Sequence, residues 1–265
     1  TDNFPPEVNA PATRTHEHAK RWVQKGSNVI VITCAPNFPQ GKVYLGYKNK
    51  LYQTENMDGI TVIRVWSYMT SNKGFFLRIL DYTSFSFSAF LAGLFKHCDV
   101  IVATSPQFFT TFAAYLLSIF KRKPWFFEVR DLWPESVRSV GAVSKESKVI
   151  DFFERIELFL YKRAKRVIVV TDAFKKNLIQ REIPFGKIDV IPNGCNTELF
   201  SPRETDIDLK KDLGLEGKIV LGYIGTHGMA HGLEFIIRSF KKLDLQKYSL
   251  LLIGDGAEKE SLMNL

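Results

Sequence analysis

The chain has 265 residues, 45% of them hydrophobic and 24% charged, so its apolar surface suffices for one large or two modest folded domains and excludes disorder. The three cysteines are far apart and form no CxxC pair, which indicates reduced thiols in a cytosolic protein rather than disulfides or a zinc site. A net charge of +8 favours anionic partners, but the basic residues are scattered, which argues against a nucleic-acid surface.

Up to residue 192 the sequence alternates short apolar runs with longer amphipathic segments. Continuous apolar runs are typical of parallel strands buried on both faces, and their alternation with helices predicts a doubly wound α/β sheet with right-handed crossovers. The predicted strands are 28–33, 60–66, 99–103, 124–128, 166–171 and 187–191, and the predicted helices are 10–25, 76–96, 106–121 and 146–163.

After residue 193 the same rhythm restarts, which predicts a second domain over 193–265. It contains only two predicted strands, 218–225 and 248–254, and two strands do not make a stable sheet by themselves. Residues 1–9 read as the loop that normally follows the first, central strand of such a sheet. We therefore expect the sequence to be a fragment cut at both ends, which lacks this first strand and half of the second domain, or to contain only the ordered part of the chain. The predicted helices of this domain are 206–213, 232–243 and one that begins near 257.

The longest uncharged segments, 83–95 and 105–120, are shorter than the ~20 apolar residues that a spanning helix needs. Two interpretations of these segments stay open. They are ordinary buried helices of the domain, or they include a shallow membrane-facing helix that ends at the basic triplet Lys121-Arg122-Lys123.

A glycine-rich turn joins the strand 218–225 to the helix that begins at Gly232. Glycines let the backbone approach a phosphate, and a helix N-terminus adds free amides and positive potential. The spacing is not GxGxxG, so a purely structural turn is an equal alternative. The candidate phosphate-binding residues are Gly225, Thr226, His227, Gly228 and His231.

Charged and aromatic residues cluster directly after the predicted strand 124–128, at Arg130, Asp131, Trp133 and Glu135. Ligands of open α/β sheets bind outside the carboxyl ends of the strands. Carboxylates suit sugar hydroxyls and an indole suits a sugar face, so a sugar site is one interpretation. The other is a helix N-cap at Asp131 or Glu135, with Trp133 in the core.

The N-terminal loop opens a helix near Asn9 and Ala10, with Pro11 in its first turn. Arg14 and His18 are four residues apart and share a helix face, which meets either an anionic substrate or solvent. In Asp206-Ile-Asp208 a helix cap explains the two carboxylates better than a metal ion does. The histidines show no HExxH pattern, so we predict no metal site.

The segment from Lys187 to Pro202, with Val190-Ile-Pro-Asn-Gly-Cys-Asn196 at its centre, resembles the passage between the two domains of retaining GT-B glycosyltransferases of family 4. The run from Arg166 to Asp172 and the run Leu251-Leu-Ile-Gly-Asp-Gly256 are similar to further motifs of this family. The N-terminal loop and Asp131-Leu-Trp-Pro-Glu135 resemble a bacterial branch that makes O-antigen and capsule, including L-fucosamine-type aminosugar transferases.

The resemblance implies a GT-B fold, in which an acceptor-binding domain (1–192) and a nucleotide-sugar-binding domain (193–265) face a cleft. It implies retaining transfer from a nucleotide-diphosphate sugar, UDP above all, to a polysaccharide or lipid-linked saccharide, without metal or cofactor. It also implies a cytoplasmic protein, peripheral on the anionic inner membrane face. The implied catalytic residues are Asp131, Arg130 and Glu135; the donor-binding residues are Gly225, Thr226, His227, Gly228, His231, Asn193 and Gly254; the acceptor-side residues are Asn9, Ala10, Arg14 and Trp133.

Two departures from the family pattern bear on activity. Thr226 and His231 stand where many members carry an arginine and a lysine in the phosphate turn, and the paired glutamates of the family's E-x7-E motif come after Leu265. We therefore expect the 265-residue chain to be inactive as it stands. A UDP-sugar epimerase of the same fold and a non-catalytic sugar-nucleotide-binding protein are the alternative functions.

Overall fold

The computed structural model describes residues 1–70, 75–105, 108–132 and 148–265. The chain forms two compact units, Thr1–Asn193 and Gly194–Leu265. The division lies between Asn193 and Gly194, one residue after the predicted one between Pro192 and Asn193. The acceptor and donor roles of the two domains stay predictions.

A small mixed sheet lies at the start of the first unit. Its strands are β1 (Ile30–Cys34), β2 (Tyr52–Met57) and β3 (Ile60–Val65), in the order β1-β3-β2. β1 runs parallel to β3, whereas β2 runs antiparallel to it. The sequence prediction missed β2, because this edge strand alternates exposed and half-buried residues and lacks a continuous apolar run. The signal that it left is the turn Asp58-Gly59, where both residues have positive φ, as tight hairpins require.

The second sheet of this unit is entirely parallel, as predicted. It contains β4 (Ile101–Ser105), β5 (Trp125–Val129), β6 (Arg166–Val169) and β7 (Ile188–Val190), side by side in chain order. Their apolar side chains pack with helix residues in the largest core cluster, which includes Phe127 and Val167 of the strands and Leu160 of the helix over 148–163. The carboxyl ends of all four strands therefore meet at one edge of the sheet, where ligands of such sheets bind.

Five α-helices surround these sheets in the described part of the first unit: α1 (Ala10–Gln24), α2 (Phe75–Leu94), α3 (Phe112–Lys121), α4 (Lys148–Arg163) and α5 (Asp172–Gln180). α1 begins where the Asn9 side chain accepts a hydrogen bond from the Ala12 amide at 2.8 Å. It ends before Gly26, whose φ is 87°. The predicted helix 106–121 begins later, because residues 108–111 form a 3-10 turn.

The second unit contains one parallel pair of strands, as predicted. Its elements are α6 (Ile207–Asp212), β8 (Ile219–Ile224), α7 (Leu233–Phe240), β9 (Tyr248–Ile253) and α8 (Lys259–Met263). Asp206 caps α6 by accepting a hydrogen bond from the Leu209 amide at 2.9 Å. Asp206 thus has the capping role that the sequence favours over metal binding for Asp206 and Asp208.

A buried arginine of β3 holds the N-terminal loop in place. Arg64 donates to the Glu55 carboxylate at 2.6 Å and to the carbonyl of Cys34 at 2.9 Å, and it also bonds the carbonyl of Pro5. Buried Glu7 accepts hydrogen bonds from the amides of Asn37 and Phe38, at 2.8 and 2.9 Å. Burial raises the pKa of Glu7, and these two amides oppose that shift. The loop therefore delivers the first turn of α1 in a defined position.

A cavity of about 380 Å³ lies between β1 and β4, which are edge strands of different sheets. About half of its lining residues are aliphatic, such as Ile30, Ile32, Val100 and Val102, and Glu128 and His18 also line it. The cavity therefore resembles the interior of a sheet more than a polar substrate pocket.

Candidate functional site

Glu128 is the charged residue of β5, and it lies near the carboxyl end of that strand with 9% of its side chain exposed. Arg14 of α1 donates to its Oε1 atom from Nη2 at 2.7 Å and from Nε at 3.0 Å, and the Arg14 side chain is equally buried. Hydrogen bonds between ionised groups are roughly twice as strong as neutral ones. This ion pair therefore fixes α1 to the edge of the parallel sheet at which the carboxyl ends of its strands lie.

Arg14 also bonds the side-chain oxygen of Asn193 through Nη1. Asn193 follows β7 and is the last residue of the first unit. One guanidinium thus joins α1, the end of β5 and the end of β7. Asn193 was predicted as a donor-side residue and Arg14 as an acceptor-side residue, and the structure brings the two side chains together.

His18 lies one turn after Arg14, and its Nδ1 atom is 3.8 Å from Glu128 Oε1. Burial lowers the pKa of His18; Glu128 opposes this shift and Arg14 adds to it. The imidazole is therefore neutral at neutral pH, and it can accept or donate a hydrogen bond there.

Arg130 follows β5 directly and is half-buried. Its Nη1 atom is buried and has no hydrogen-bond partner in the described part of the chain. Burial lowers the pKa of Arg130, against the opposing effect of Glu128. A desolvated donor of this kind is costly unless a ligand satisfies it, so Arg130 has the chemistry of a binding group. Asp131 beside it is also half-buried.

The remaining predicted residues of this unit divide into two groups. Asn9 acts as the cap of α1 and also donates to the Asn3 side chain at 2.8 Å, so its role in the structure is local. Ala10 is exposed at the first position of α1. Trp133 and Glu135 lie outside the described residues. Sequence reasoning missed Glu128, although a single acid inside an apolar strand was a readable signal.

In the second unit, the predicted phosphate turn packs against the loop after β9. The Gly225 amide donates to the Ile253 carbonyl, and the His227 amide donates to the Asp255 carbonyl, both at 2.9 Å. The Glu258 amide donates to the His227 carbonyl, also at 2.9 Å. Backbone hydrogen bonds therefore join the two loops.

Glycine is required where these loops meet. A Cβ atom at Gly254 would lie 1.8 Å from the Gly225 carbonyl oxygen, and one at Gly256 would lie 2.4 Å from that of His227. Real Cβ atoms essentially never come this close to backbone. The predicted donor residues Gly225 and Gly254 are thus neighbours, and their first role is this close approach.

His227 is 5% exposed, and neither of its ring nitrogens has a hydrogen-bond partner in the described part of the chain. Its ring lies beside Tyr223, whose hydroxyl donates to the Thr226 carbonyl at 2.9 Å. Most buried polar atoms are paired, so the unpartnered imidazole of His227 requires an explanation.

The other predicted residues of the turn are less constrained. Thr226 and His231 are exposed, and Gly228 has room for a Cβ atom. Gly232, which precedes α7, has a φ of 59°.

The described residues contain no group of three or more His, Cys, Asp or Glu residues arranged to hold a metal ion. None of their helices is long and apolar enough to cross a membrane.

Comparison with curated proteins finds two bacterial relatives. The chain is 24% identical to the "Probable glycosyltransferase WbjE" of Pseudomonas aeruginosa, over 68% of this chain and 46% of that protein. It is 23% identical to the "Putative colanic acid biosynthesis glycosyl transferase WcaI" of Escherichia coli K12, over 98% of this chain and 66% of that protein. The chain thus spans between about half and two thirds of the length of these relatives.

Among solved structures, the fold is similar to that of Anabaena Alr3699/HepE. The crystal structure of that protein with UDP matches with a TM-score of 0.63 at 14% identity, over 99% of this chain and 62% of HepE. The structure with UDP-glucose matches with a TM-score of 0.57 at 18% identity, over 78% of this chain and 51% of HepE. This likeness confirms the predicted α/β fold with Rossmann-like parallel sheets, of the GT-B kind.

The family comparison covers the unit that holds the Arg14–Glu128 pair. Residues 9–194 match the family described as "Glycosyl transferase 4-like domain". This match includes the capped start of α1, all of the parallel sheet and Asn193, so the chain belongs to the glycosyl transferase 4-like family.

Proposed function

We propose that this chain belongs to an enzyme that transfers a sugar from a nucleotide-diphosphate donor, a UDP-sugar, to a saccharide or lipid-linked saccharide. Membership of the glycosyl transferase 4-like family supports the transfer reaction. The HepE structures with UDP and UDP-glucose, which share the fold, support the choice of donor. We further propose that the anomeric configuration is retained, as the sequence resemblance implies.

The observation that carries this proposal is the buried, unpartnered imidazole of His227 in the glycine turn. A histidine ring can donate a hydrogen bond, and the turn leads through Gly232 into α7, whose N-terminus adds positive potential. The donor diphosphate would bind here, with the exposed Thr226 and His231 as further contacts. These groups would stabilise the charge on the leaving diphosphate without a metal ion or cofactor.

In the first unit, Arg130 and Asp131 are the proposed catalytic groups, together with Glu135. Arg130 would donate to the donor or acceptor oxygens, since its buried Nη1 atom has no hydrogen-bond partner in the described residues. The Arg14–Glu128 pair would position Arg130, because Glu128 lies two residues before it on the same strand end.

In the proposed reaction, the bond between the anomeric carbon and the diphosphate oxygen breaks while the acceptor oxygen bonds that carbon on the same face. The proton of the acceptor hydroxyl moves to the leaving phosphate oxygen, so atoms and charge balance. The colanic acid name of the relative WcaI supports a role in cell-surface polysaccharide synthesis, such as O-antigen or capsule. We propose a cytoplasmic location, peripheral on the inner membrane face.

A thermal-shift screen against UDP-, GDP- and ADP-sugars tests the donor assignment. A ligand that binds only the folded state, at a free concentration of about 100 times its Kd, raises the free energy of unfolding by about 2.7 kcal/mol. We expect a shift with UDP-sugars and a smaller or no shift with the other two classes. Shifts of equal size with all three would contradict the base assignment, and no shift with any would contradict the donor site.

A further inference from the structure

An apolar stripe runs along the outer face of α2. Leu77, Leu80, Phe87 and Leu91 of α2 and Phe95 directly after it are all exposed, and their spacings of three, seven, four and four residues keep them on one side of the helix. The opposite side carries the buried residues Phe85, Ala89 and Ala92, which pack in the core of the first unit. The helix is therefore apolar on two faces, of which the described residues bury one and leave the other exposed.

α3 extends this stripe into a patch. It packs closely on α2, since a Cβ atom at Gly93 would lie 2.5 Å from the Leu117 side chain. On its outer side Leu116, Ile119 and Phe120 are exposed, and the Phe120 ring contacts that of Phe90 at 5.4 Å between centroids. We call the exposed apolar residues of both helices the α2/α3 face. Its most exposed aromatic residues are Phe95 at 86%, Phe120 at 67% and Phe87 at 64%.

Basic residues border this face at the carboxyl ends of both helices. Lys96 is close after α2, Lys121 is the last residue of α3, and Arg122 and Lys123 follow it. Among the described residues at these helix ends the acid is Asp99, which pairs with Lys123 at 3.4 Å. Lys121 donates to the carbonyls of Leu94 and Lys96, at 2.8 and 2.7 Å, so it joins the two helix ends. Four cations and one acid next to two exposed phenylalanines give this end a positive charge.

We propose that the α2/α3 face is a docking surface for an anionic lipid bilayer, in which the helices lie along the interface rather than cross it. Interfacial helices combine an apolar stripe with lysine or arginine and aromatic side chains, as this face does. Each basic residue near an anionic leaflet strengthens binding, and salt weakens that attraction. A second protein copy would not require the excess of positive charge beside Phe95 and Phe120, so the charge favours lipid.

The biological role of this docking surface rests on the proposed function, whereas the binding to lipid does not. A transferase that acts on lipid-linked acceptors needs to reach the membrane, and the face would hold the first unit there. The binding itself is independent of any transfer reaction, so it is measured without donor or acceptor.

The test is flotation of the purified chain with vesicles of phosphatidylcholine alone and with vesicles that contain one part phosphatidylglycerol in four. We expect strong binding to the anionic vesicles, weak binding to the neutral ones, and loss of binding in high salt. The key variant combines Phe87→Gln, Phe95→Gln and Phe120→Gln, for which the partition coefficient should fall about 100-fold or more. The matched control combines Phe185→Gln, Phe200→Gln and Phe235→Gln, which are similarly exposed and lie off this face.

The outcomes separate the two proposals. Equal binding of the key variant and the control, or equal binding to both vesicle types, would overturn the docking surface. So would a dimer in solution that dissociates in the key variant, because a second copy would then be the occupant. Vesicle binding without a UDP-sugar thermal shift would leave the docking surface in place and contradict the proposed donor. A UDP-sugar thermal shift of the wild-type chain, without binding of that chain to anionic vesicles, would do the reverse.

Discussion

The candidate sites of the two units depend on different kinds of contact. In the first unit the site depends on charged side chains, with Glu128 receiving Arg14 and with Arg130 beside it at the end of β5. In the second unit it depends on backbone, with two loops joined through Gly254 and Gly256 and a single buried imidazole between them. We therefore expect the removal of charged side chains to disrupt the first site, and the replacement of glycine by a larger residue to disrupt the second.

The largest effect is expected from Arg14→Met. The substitution leaves the Glu128 carboxylate buried without its partner, which typically costs about 3–5 kcal/mol of unfolding free energy. Urea unfolding of the first unit measures it. The control is the double variant Arg14→Met/Glu128→Leu, which removes both charges and should recover most of the stability. If the single and double variants are equally stable, the ion pair does not organise this site.

Gly254→Ala should come next and should act in the second unit alone. The new Cβ atom would lie 1.8 Å from a backbone oxygen, and overpacking of this kind costs about 1–3 kcal/mol. We expect a lower melting temperature of the second unit and no thermal shift with UDP-sugars. Gly222→Ala is the matched control, since that position has open space in β8. Equal melting temperatures and equal UDP-sugar shifts of the two variants would show that the loops move apart freely.

His227→Phe should separate ligand binding from stability. The ring stays buried, but the unpartnered nitrogens are removed, so the free protein should be as stable as before or more stable. UDP-sugar affinity should fall about tenfold, which corresponds to about 1.4 kcal/mol. The same change at exposed His231 serves as the control and should weaken binding less. Unchanged affinity in His227→Phe would exclude the imidazole from the donor site.

The smallest effect concerns pH and His18. Burial lowers its pKa in the folded state, so the unfolded chain binds more protons just below about pH 6.5. His18 therefore makes its full contribution to the free energy of unfolding above that pH, and this contribution is lost as the pH falls through the folded-state pKa of His18. Melting temperatures of the wild type and His18→Asn, compared between about pH 5 and 7.5, should converge at the acidic end. Parallel curves would assign the pH dependence to other groups.

Local patterns predicted most of the elements, and each miss has a physical reason. Asn9, Pro11 and Gly26 together bound α1, because caps and breakers act within a few residues. β2 was missed because an edge strand with one exposed face lacks the continuous apolar run that marks a buried strand. Glu128 was missed because its importance comes from a partner on another element, and the strand pattern around it is apolar.

The sequence by itself determined the alternation of strands and helices, the restart after Asn193 and the glycine turn, since each depends on residues close together in the chain. Only the tertiary structure decided that Arg14 meets Glu128 across 114 positions and Asn193 across 179. It also decided that Gly254 touches the Gly225 carbonyl, and that the described residues leave one face of α2 exposed. Such contacts depend on how the elements pack, and packing is set by the whole core rather than by any local pattern.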